Sequence, residues 1–156
     1  MNTIQLGNQQ AGNGHPVFII AEIGINHQGD VNIAKELIQK AKECGANAVK
    51  LQKRNISRIL TREGLDMEYD NQHSFGKTYG EHKKALELSN SEYEQLKTFC
   101  NDLNIIFCTS GCNEESIDFL DELGVSFFKM TSSDLTNLPL LIHTSRKTHD
   151  YVNGYG

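Results

Sequence analysis

Residues 17–52 read VFIIAEIGINHQGDVNIAKELIQKAKECGANAVKLQ, and this stretch decides the fold class. An apolar run ends at Glu22, a polar loop follows, and a helical pattern begins after Asp30, a residue type that caps helix N-termini well. Gly45 closes the pattern, as is typical of a helix C-terminus. A second apolar run then leads into Lys50. This order of elements predicts a βαβ unit, and such units build parallel sheets.

The same alternation of an apolar run with a helical pattern continues along the chain. It predicts four strands, at residues 17–21, 48–52, 105–108 and 126–130. The helices between and after them are predicted to be capped by Asp30, Ser89 or Ser91, Asn113 and Asn137. A small hairpin that pairs residues 3–6 with 15–17 is predicted to precede the first strand. Residues 53–88 are polar and without a period, which predicts a long loop and solvated histidines at 73 and 82.

Polar side chains stand where the predicted strands end. They are Glu22, Lys50, Thr109 and Lys129, with Ser132 just beyond the last strand. In a parallel α/β sheet or barrel, the carboxyl ends of the strands are where ligands bind. Two ammonium groups at that edge predict an anionic small molecule, and therefore an enzyme. The alternatives are that the lysines are snorkelling surface groups and that the two hydroxyls only cap helices.

The composition narrows the possible partners. The chain has 156 residues, the size of one domain, and 15 basic against 20 acidic residues give a formal net charge of -5. No basic stripe is present, so nucleic acid is not expected as a partner. No apolar run is long enough to span a membrane, and no signal peptide precedes the first strand, so we expect a cytoplasmic protein.

The four cysteines do not predict a zinc site, because none of them forms a C-x-x-C pair. Cys44, Cys100 and Cys108 fall on predicted helices or strands and are expected to be free thiols. Cys112 follows the third strand and could border a site. No sequence pattern places a base beside it, so a nucleophilic role is not favoured.

Three motifs identify a family. The stretches FIIAEIGINHQGD at 18–30, GANAVKLQKR at 45–54 and FKMTSSDLTNLPLL at 128–141 resemble the N-acetylneuraminate (sialic acid) synthase family. The resemblance spans roughly residues 3–145. It implies a (β/α)8 TIM barrel, of which this chain would supply about the first four βα units. It also implies the condensation of phosphoenolpyruvate with N-acetylmannosamine, its 6-phosphate or a related amino sugar, which yields a nonulosonic acid and phosphate.

The resemblance also implies roles for individual residues. The residues expected to bind phosphoenolpyruvate are Lys50, Thr109, Lys129 and Ser132. The carboxylates expected to act at the sugar and in proton transfer are Glu22 and Asp134. The residues expected on the sugar side are Gln52, Asn26 and His27. The last two could instead only shape the first loop, and an aspartate at 134 reaches one methylene less far than the glutamate of some members.

A divalent metal, Mn or Mg, is implied by the resemblance as the group that polarises the sugar aldehyde. Its two histidine ligands belong to a part of the family pattern that this sequence does not contain, so none of the six histidines is assigned to a metal. Full-length members of the family are expected to be homodimers. The alternatives to a synthase are a non-catalytic half-barrel that binds phosphoenolpyruvate weakly, and a half-barrel completed by a separate polypeptide.

The end of the chain departs from the family pattern. Residues 148–156 have no apolar periodicity, and a shifted reading frame with chosen codons would encode Met-Thr-Met-Ser-Thr-Gly-Met, which resembles the expected fifth strand. We therefore predict residues 1–147 to be the N-terminal half of a barrel and 148–156 to be an aberrant, out-of-frame tail. We also expect an unpaired edge at the fourth strand and no synthase activity from this chain alone.

Overall fold

The computed structural model describes residues 3–147 in full and the backbone of residues 150–153. Seven strands are present in this part of the chain: β1 (Ile4–Leu6), β2 (Gln9–Ala11), β3 (Ile20–Gly24), β4 (Ala48–Lys53), β5 (Ile106–Gly111), β6 (Phe127–Met130) and β7 (Asp150–Asn153). The first two form an antiparallel hairpin, and the other five form a parallel sheet in chain order. The fold class is therefore α/β, as the sequence predicts.

Seven helices accompany the strands. They are α1 (Val31–Glu43), α2 (Ile56–Ile59), α3 (Arg62–Asp66), α4 (Tyr79–Ala85), α5 (Asn90–Asp102), α6 (Glu114–Glu122) and α7 (Leu138–Ser145). The predicted caps of α1 and α5 are confirmed. The Asp30 carboxylate accepts a hydrogen bond from the Asn32 amide at 2.7 Å, and Ser89 forms a capping box with Glu92. In the part of the chain described, no helix is both long enough and apolar enough to cross a membrane.

The parallel sheet has two unlike faces. The outer face packs beneath the helices, and its large side chains belong to the main core: Val49, Leu51, Phe107, Phe128 and Met130. The inner face is lined near the strand N-termini by a smaller cluster that the hairpin covers with Leu6: Ala48, Ile106, Cys108 and Phe127. Successive side chains of a strand point to opposite faces, so each strand contributes to both. Towards the strand C-termini, the inner face is polar.

The N-terminal hairpin differs from the prediction. β1 pairs with residues 9–11, in the register Leu6↔Gln9, and not with 15–17. Gly7 adopts a left-handed φ of 61°, which lets the chain turn back at once. The strand that follows begins at Ile20, later than predicted, and Val17 is 82% exposed.

Residues 53–88 also differ from the prediction, because they contain three short helices rather than a featureless loop. Helix α4 begins with a capping box in which the Thr78 hydroxyl accepts from the Glu81 amide and the Glu81 carboxylate accepts from the Thr78 amide. The C-terminal end of α4 packs against Gly29. A Cβ atom at position 29 would lie only 2.1 Å from the Ala85 carbonyl oxygen, so this close approach requires glycine. The segment thus returns to pack against the loop that follows β3.

The expected unpaired edge at the fourth strand is not observed. β7 pairs in parallel with β6, in a register that runs from Phe127↔Asp150 to Met130↔Asn153. Part of the stretch predicted to be an aberrant tail therefore extends the sheet by its backbone. An out-of-frame origin of residues 148–156 stays a prediction, and residues 148–149 and 154–156 lie outside the described residues.

Candidate functional site

Polar side chains converge on the inner face at the C-terminal ends of β3, β4 and β6. Glu22 and Lys50 are register partners on adjacent strands, and Gln52 follows two residues later on the same face. Lys129 comes from β6. These side chains line a cavity of about 460 Å³ together with the residues that follow β5 and β6 and one from α2: Cys112, Thr131, Ser132, Ser133, Asp134 and Ile59.

Lys50 and Glu22 form an ion pair at the floor of this cavity. Lys50 is only 3% exposed, whereas about half of the Glu22 side chain remains accessible. A buried ammonium group is stable only if it keeps a charged or hydrogen-bonding partner. Because the Glu22 carboxylate is the more accessible of the two groups, an incoming anion could share the ammonium with it. Lys129, half-buried on the far strand, supplies a second positive charge.

The turn after β6 carries the hydroxyl and carboxylate groups of the site. Ser132–Asp134 form a single 3₁₀ turn, which is closed by a hydrogen bond from the Asp134 amide to the Thr131 carbonyl oxygen at 3.1 Å. The Thr131 hydroxyl donates to Asp134 Oδ2 at 2.5 Å. Ser132 and Asp134 thus lie where the sequence predicts, on the same cavity as the two lysines.

Thr109 does not lie with the other predicted ligands. It points to the outer face, is fully buried, and is not among the residues that line the cavity. The next residue, Ser110, points to the inner face, and its hydroxyl donates to the Lys129 carbonyl oxygen at 2.6 Å. Adjacent strand residues face opposite ways. Ser110 is fully buried as well and does not line the cavity, so its hydroxyl holds the backbone of Lys129 rather than a ligand. We therefore remove Thr109 from the candidate ligands and treat Ser110 as a residue that positions Lys129.

Asn26 and His27 lie in the loop after β3 and do not line the cavity. The Asn26 amide donates to the Ile23 carbonyl oxygen at 3.0 Å. His27 is 1% exposed, and its Nδ1 accepts from the Gly29 amide at 3.1 Å. Burial, assisted by the nearby Arg54 guanidinium, lowers the pKa of His27. Both side chains hold the loop in shape in this structure, which was the alternative left open for them.

Cys112 borders the cavity, but its thiol is poorly suited to act as a nucleophile. Burial, with the Asp134 carboxylate nearby, raises the pKa of Cys112 to about 11. The thiol is therefore protonated at neutral pH. Ile59, Thr131 and Ser133 also line this space and were not predicted. Ile59 reaches the cavity from α2, whose position no periodic pattern signals, whereas Thr131 and Ser133 flank the predicted Ser132 in the turn after β6.

Three arginines in the segment after β4 have different surroundings. Arg54 is buried and forms an ion pair with Glu87 at 2.5 Å. Burial nevertheless raises the pKa of Glu87, with Arg54 opposing the change. Arg58 pairs with Glu115 at the mouth of a second cavity, of about 550 Å³, which shares Ile59, Cys112 and Asp134 with the first. Arg62 is solvent-exposed.

The two histidines of this segment also differ. His73 is exposed, as predicted, but His82 is buried. Its Nδ1 accepts from the Phe75 amide at 3.2 Å, and its ring packs against Tyr69, so the prediction that it is solvated was wrong. A larger cavity, of about 810 Å³, lies between this segment and α6, away from the two lysines of the candidate site.

The fit of a divalent metal can be tested on the side chains present. Among residues 3–147, no group of three or more His, Cys, Asp and Glu side chains is close enough to hold an ion. The charged groups of the cavity are instead a mixture of two ammoniums and two carboxylates, which suits an anionic ligand with hydroxyl groups rather than a bare cation. The described residues therefore do not fit the metal that the resemblance implies.

Comparisons with known proteins show which proteins this chain is similar to. The chain is 46% identical to N-acetylneuraminate-9-phosphate synthase from Mus musculus over 93% of its length, and 42% identical to N,N'-diacetyllegionaminic acid synthase from Legionella pneumophila over 90%. It spans about 40% of the length of each of these relatives. A crystal structure of N-acetylneuraminic acid synthetase from Leptospira borgpetersenii superposes with a TM-score of 0.81 at 30% identity, covering 97% of this chain and 49% of that one.

A family model gives the same assignment. Residues 37–154 match the model of the NeuB family, which is more than half of the chain. The matched range contains most of the cavity-lining side chains, including both lysines and Asp134. This chain belongs to the NeuB family.

Proposed function

We propose that this chain is the N-terminal part of a (β/α)8-barrel synthase that condenses phosphoenolpyruvate with an amino sugar. The sugar would be N-acetylmannosamine, its 6-phosphate or a related compound, and the products would be a nonulosonic acid and phosphate. The observation that carries the proposal is the cavity at the strand C-termini, where Lys50 and Lys129 lie beside Glu22 and Asp134. The names of the relatives support the same class of reaction.

Each cavity residue has a role that follows from its charge. Lys50 and Lys129 would neutralise the phosphate and carboxylate of phosphoenolpyruvate, and the Ser132 hydroxyl would donate to one of these anions. Glu22 and Asp134 would orient sugar hydroxyls and move protons. Carbon 3 of phosphoenolpyruvate would attack the sugar aldehyde, water would add at carbon 2, and phosphate would leave. No step is assigned to a metal, since the described residues do not fit one.

The strongest test is direct binding of phosphoenolpyruvate to the purified chain by titration calorimetry. Lys50→Met and Lys129→Met should each weaken binding roughly tenfold or more, because each removes a charged hydrogen bond worth about 1.5–3 kcal/mol. Lys40→Met is the matched control, since Lys40 lies on the exposed side of α1 and pairs with Glu43. Equal affinity in all four proteins, or no binding by the wild type, would contradict the proposal.

A second candidate is a phosphoenolpyruvate-binding half-barrel without catalysis. It is favoured by the side chains of the described residues, which include no group able to hold the metal that the resemblance implies. We expect the 156-residue chain by itself to bind phosphoenolpyruvate but to release no phosphate when N-acetylmannosamine and Mn²⁺ are added. A coupled phosphate-release assay distinguishes the two candidates, because turnover by this chain alone would rule out the non-catalytic one.

A further inference from the structure

Thr131 makes a contact that its position in the fold does not require. It is the N-cap residue of the 3₁₀ turn Ser132–Asp134, yet its side chain accepts no hydrogen bond from a backbone amide of that turn. The turn is closed by the backbone, through the Asp134 amide and the Thr131 carbonyl oxygen. The Thr131 hydroxyl instead donates to the Asp134 carboxylate at 2.5 Å. An ordinary threonine cap would use this oxygen as an acceptor for a backbone amide.

The direction of the hydrogen bonds around Thr131 can be assigned. A hydroxyl group has one proton to donate, and an ionised carboxylate can only accept. Thr131 Oγ1 therefore gives its proton to Asp134 Oδ2, and the Ser133 hydroxyl, 2.8 Å from Thr131 Oγ1, must be the donor in that contact. The result is a short relay, from Ser133 to Thr131 to Asp134. The other carboxylate oxygen, Oδ1, has only a long contact with the Asn137 amide, at 3.5 Å.

We propose that Thr131 is a positioning residue that fixes one carboxylate oxygen of Asp134 and leaves the other available to a hydroxyl group of the acceptor sugar. A hydrogen bond to one oxygen reduces the rotation of the carboxylate, so the second oxygen keeps its place in the cavity. The role towards a sugar rests on the proposed function, whereas the coupling between Thr131 and Asp134 does not.

Other charged and titratable groups also surround Asp134. Those of the first cavity are Glu22, Lys50, Lys129 and Cys112, and those of the second are Arg58, Glu114 and Glu115. They are unchanged in variants at position 131, so their effect cancels when a variant is compared with the wild type. A comparison of variants therefore isolates the contribution of the single hydroxyl group.

The experiment measures the χ1 rotamer of Asp134 by NMR, from the three-bond couplings of its carboxyl carbon at a fixed pH, with the resonance assigned with Asp134→Asn. In the wild type the couplings should report a single staggered rotamer. In Thr131→Val, which keeps the shape but loses the donor, they should move towards an average over several rotamers, and Thr131→Ser should restore the wild-type values. Thr98→Val is the matched control, because Thr98 donates to the Glu94 carbonyl oxygen on the exposed side of α5.

The results separate this inference from the proposed function. Thr131→Val couplings equal to those of the wild type, or Thr131→Ser couplings equal to those of Thr131→Val, would overturn the inference. If Thr131→Val fails to fold, Ser133→Ala tests the same relay, and it should give a smaller change in the same couplings; no change would overturn the inference. The calorimetric titration with phosphoenolpyruvate tests the proposed function independently, since neither lysine takes part in the relay.

Discussion

The outer and inner faces of the sheet are built from alternate residues of the same strands, yet they differ in almost every physical property. On β4, Val49 and Leu51 point outward and are fully buried beneath the helices, whereas Lys50 and Gln52 point inward and line the cavity. The free energy of folding is concentrated on the outer face, where apolar surface is removed from water. The charged side chains of the cavity lie on the C-terminal half of the inner face. The period of two residues thus separates the core from the candidate site within one strand.

The test of this separation with the largest expected effect compares two neighbouring residues of β4. Leu51→Ala should lower the free energy of unfolding by about 2–5 kcal/mol, because it leaves a cavity in a fully buried core. Gln52→Ala should lower it by less than about 1 kcal/mol, since the side chain borders the open cavity. Urea denaturation followed by circular dichroism measures both. Similar losses for the two variants would show that the inner face contributes as much to stability as the outer face.

A smaller effect is expected at the next pair, on β5. Ser110→Ala removes the hydrogen bond to the Lys129 carbonyl oxygen and should cost about 1 kcal/mol of stability, with a several-fold loss of phosphoenolpyruvate affinity. Thr109→Val replaces a buried hydroxyl on the outer face with a methyl group of similar size, and affinity should stay within about twofold of the wild type. The comparison uses calorimetry on both variants. If Thr109→Val weakened binding more than Ser110→Ala, our assignment of the two faces of β5 would be wrong.

Thr109 and Ser110 also show which part of the site can be predicted from the sequence. The apolar run predicted a strand at residues 105–108, whereas β5 extends to Gly111. Two hydroxyl residues are adjacent there, however, and a fully buried strand has no polar–apolar alternation to reveal which of them faces inward. For β4 the alternation is explicit, because Lys50 and Gln52 are the polar members of the pattern. The site could therefore be predicted where the strand is half polar and not where both faces are buried.

Residues 54–88 were the least predictable part of the fold for a different reason. Helices α2 and α3 have four and five residues, too short to show a helical period, and α4 has seven. Their positions depend on contacts with distant residues, such as Arg58 with Glu115 and Arg54 with Glu87. Such pairings are formed by tertiary structure, and no local pattern specifies them. The local signals are two threonine caps: the Thr61 hydroxyl accepts from the Gly64 amide at α3, and the spacing of Thr78 and Glu81 matches a capping box at α4.

The smallest expected effect concerns His27, the buried polar residue of the loop after β3. Its substitution should change stability rather than binding. Its pKa is lowered from the ordinary value of 6.5, chiefly by burial. Between that value and the lowered one, the unfolded chain binds more protons than the folded chain, so stability should fall as the pH drops below about 7. His27→Asn, which can still offer an acceptor to the Gly29 amide, should reduce this pH dependence, and His73→Asn, at an exposed position, should leave it unchanged.

Urea denaturation between pH 5 and pH 8 measures this dependence, since these limits lie on either side of the ordinary histidine pKa. Burial lowers the pKa of His82 as well, so some dependence on pH should remain in His27→Asn. Phosphoenolpyruvate affinity at pH 8 should be the same in His27→Asn and the wild type, because His27 does not line the cavity. A loss of affinity with unchanged stability would place His27 at the ligand, and the division between a stabilising outer side and a binding inner side would then fail at the first loop.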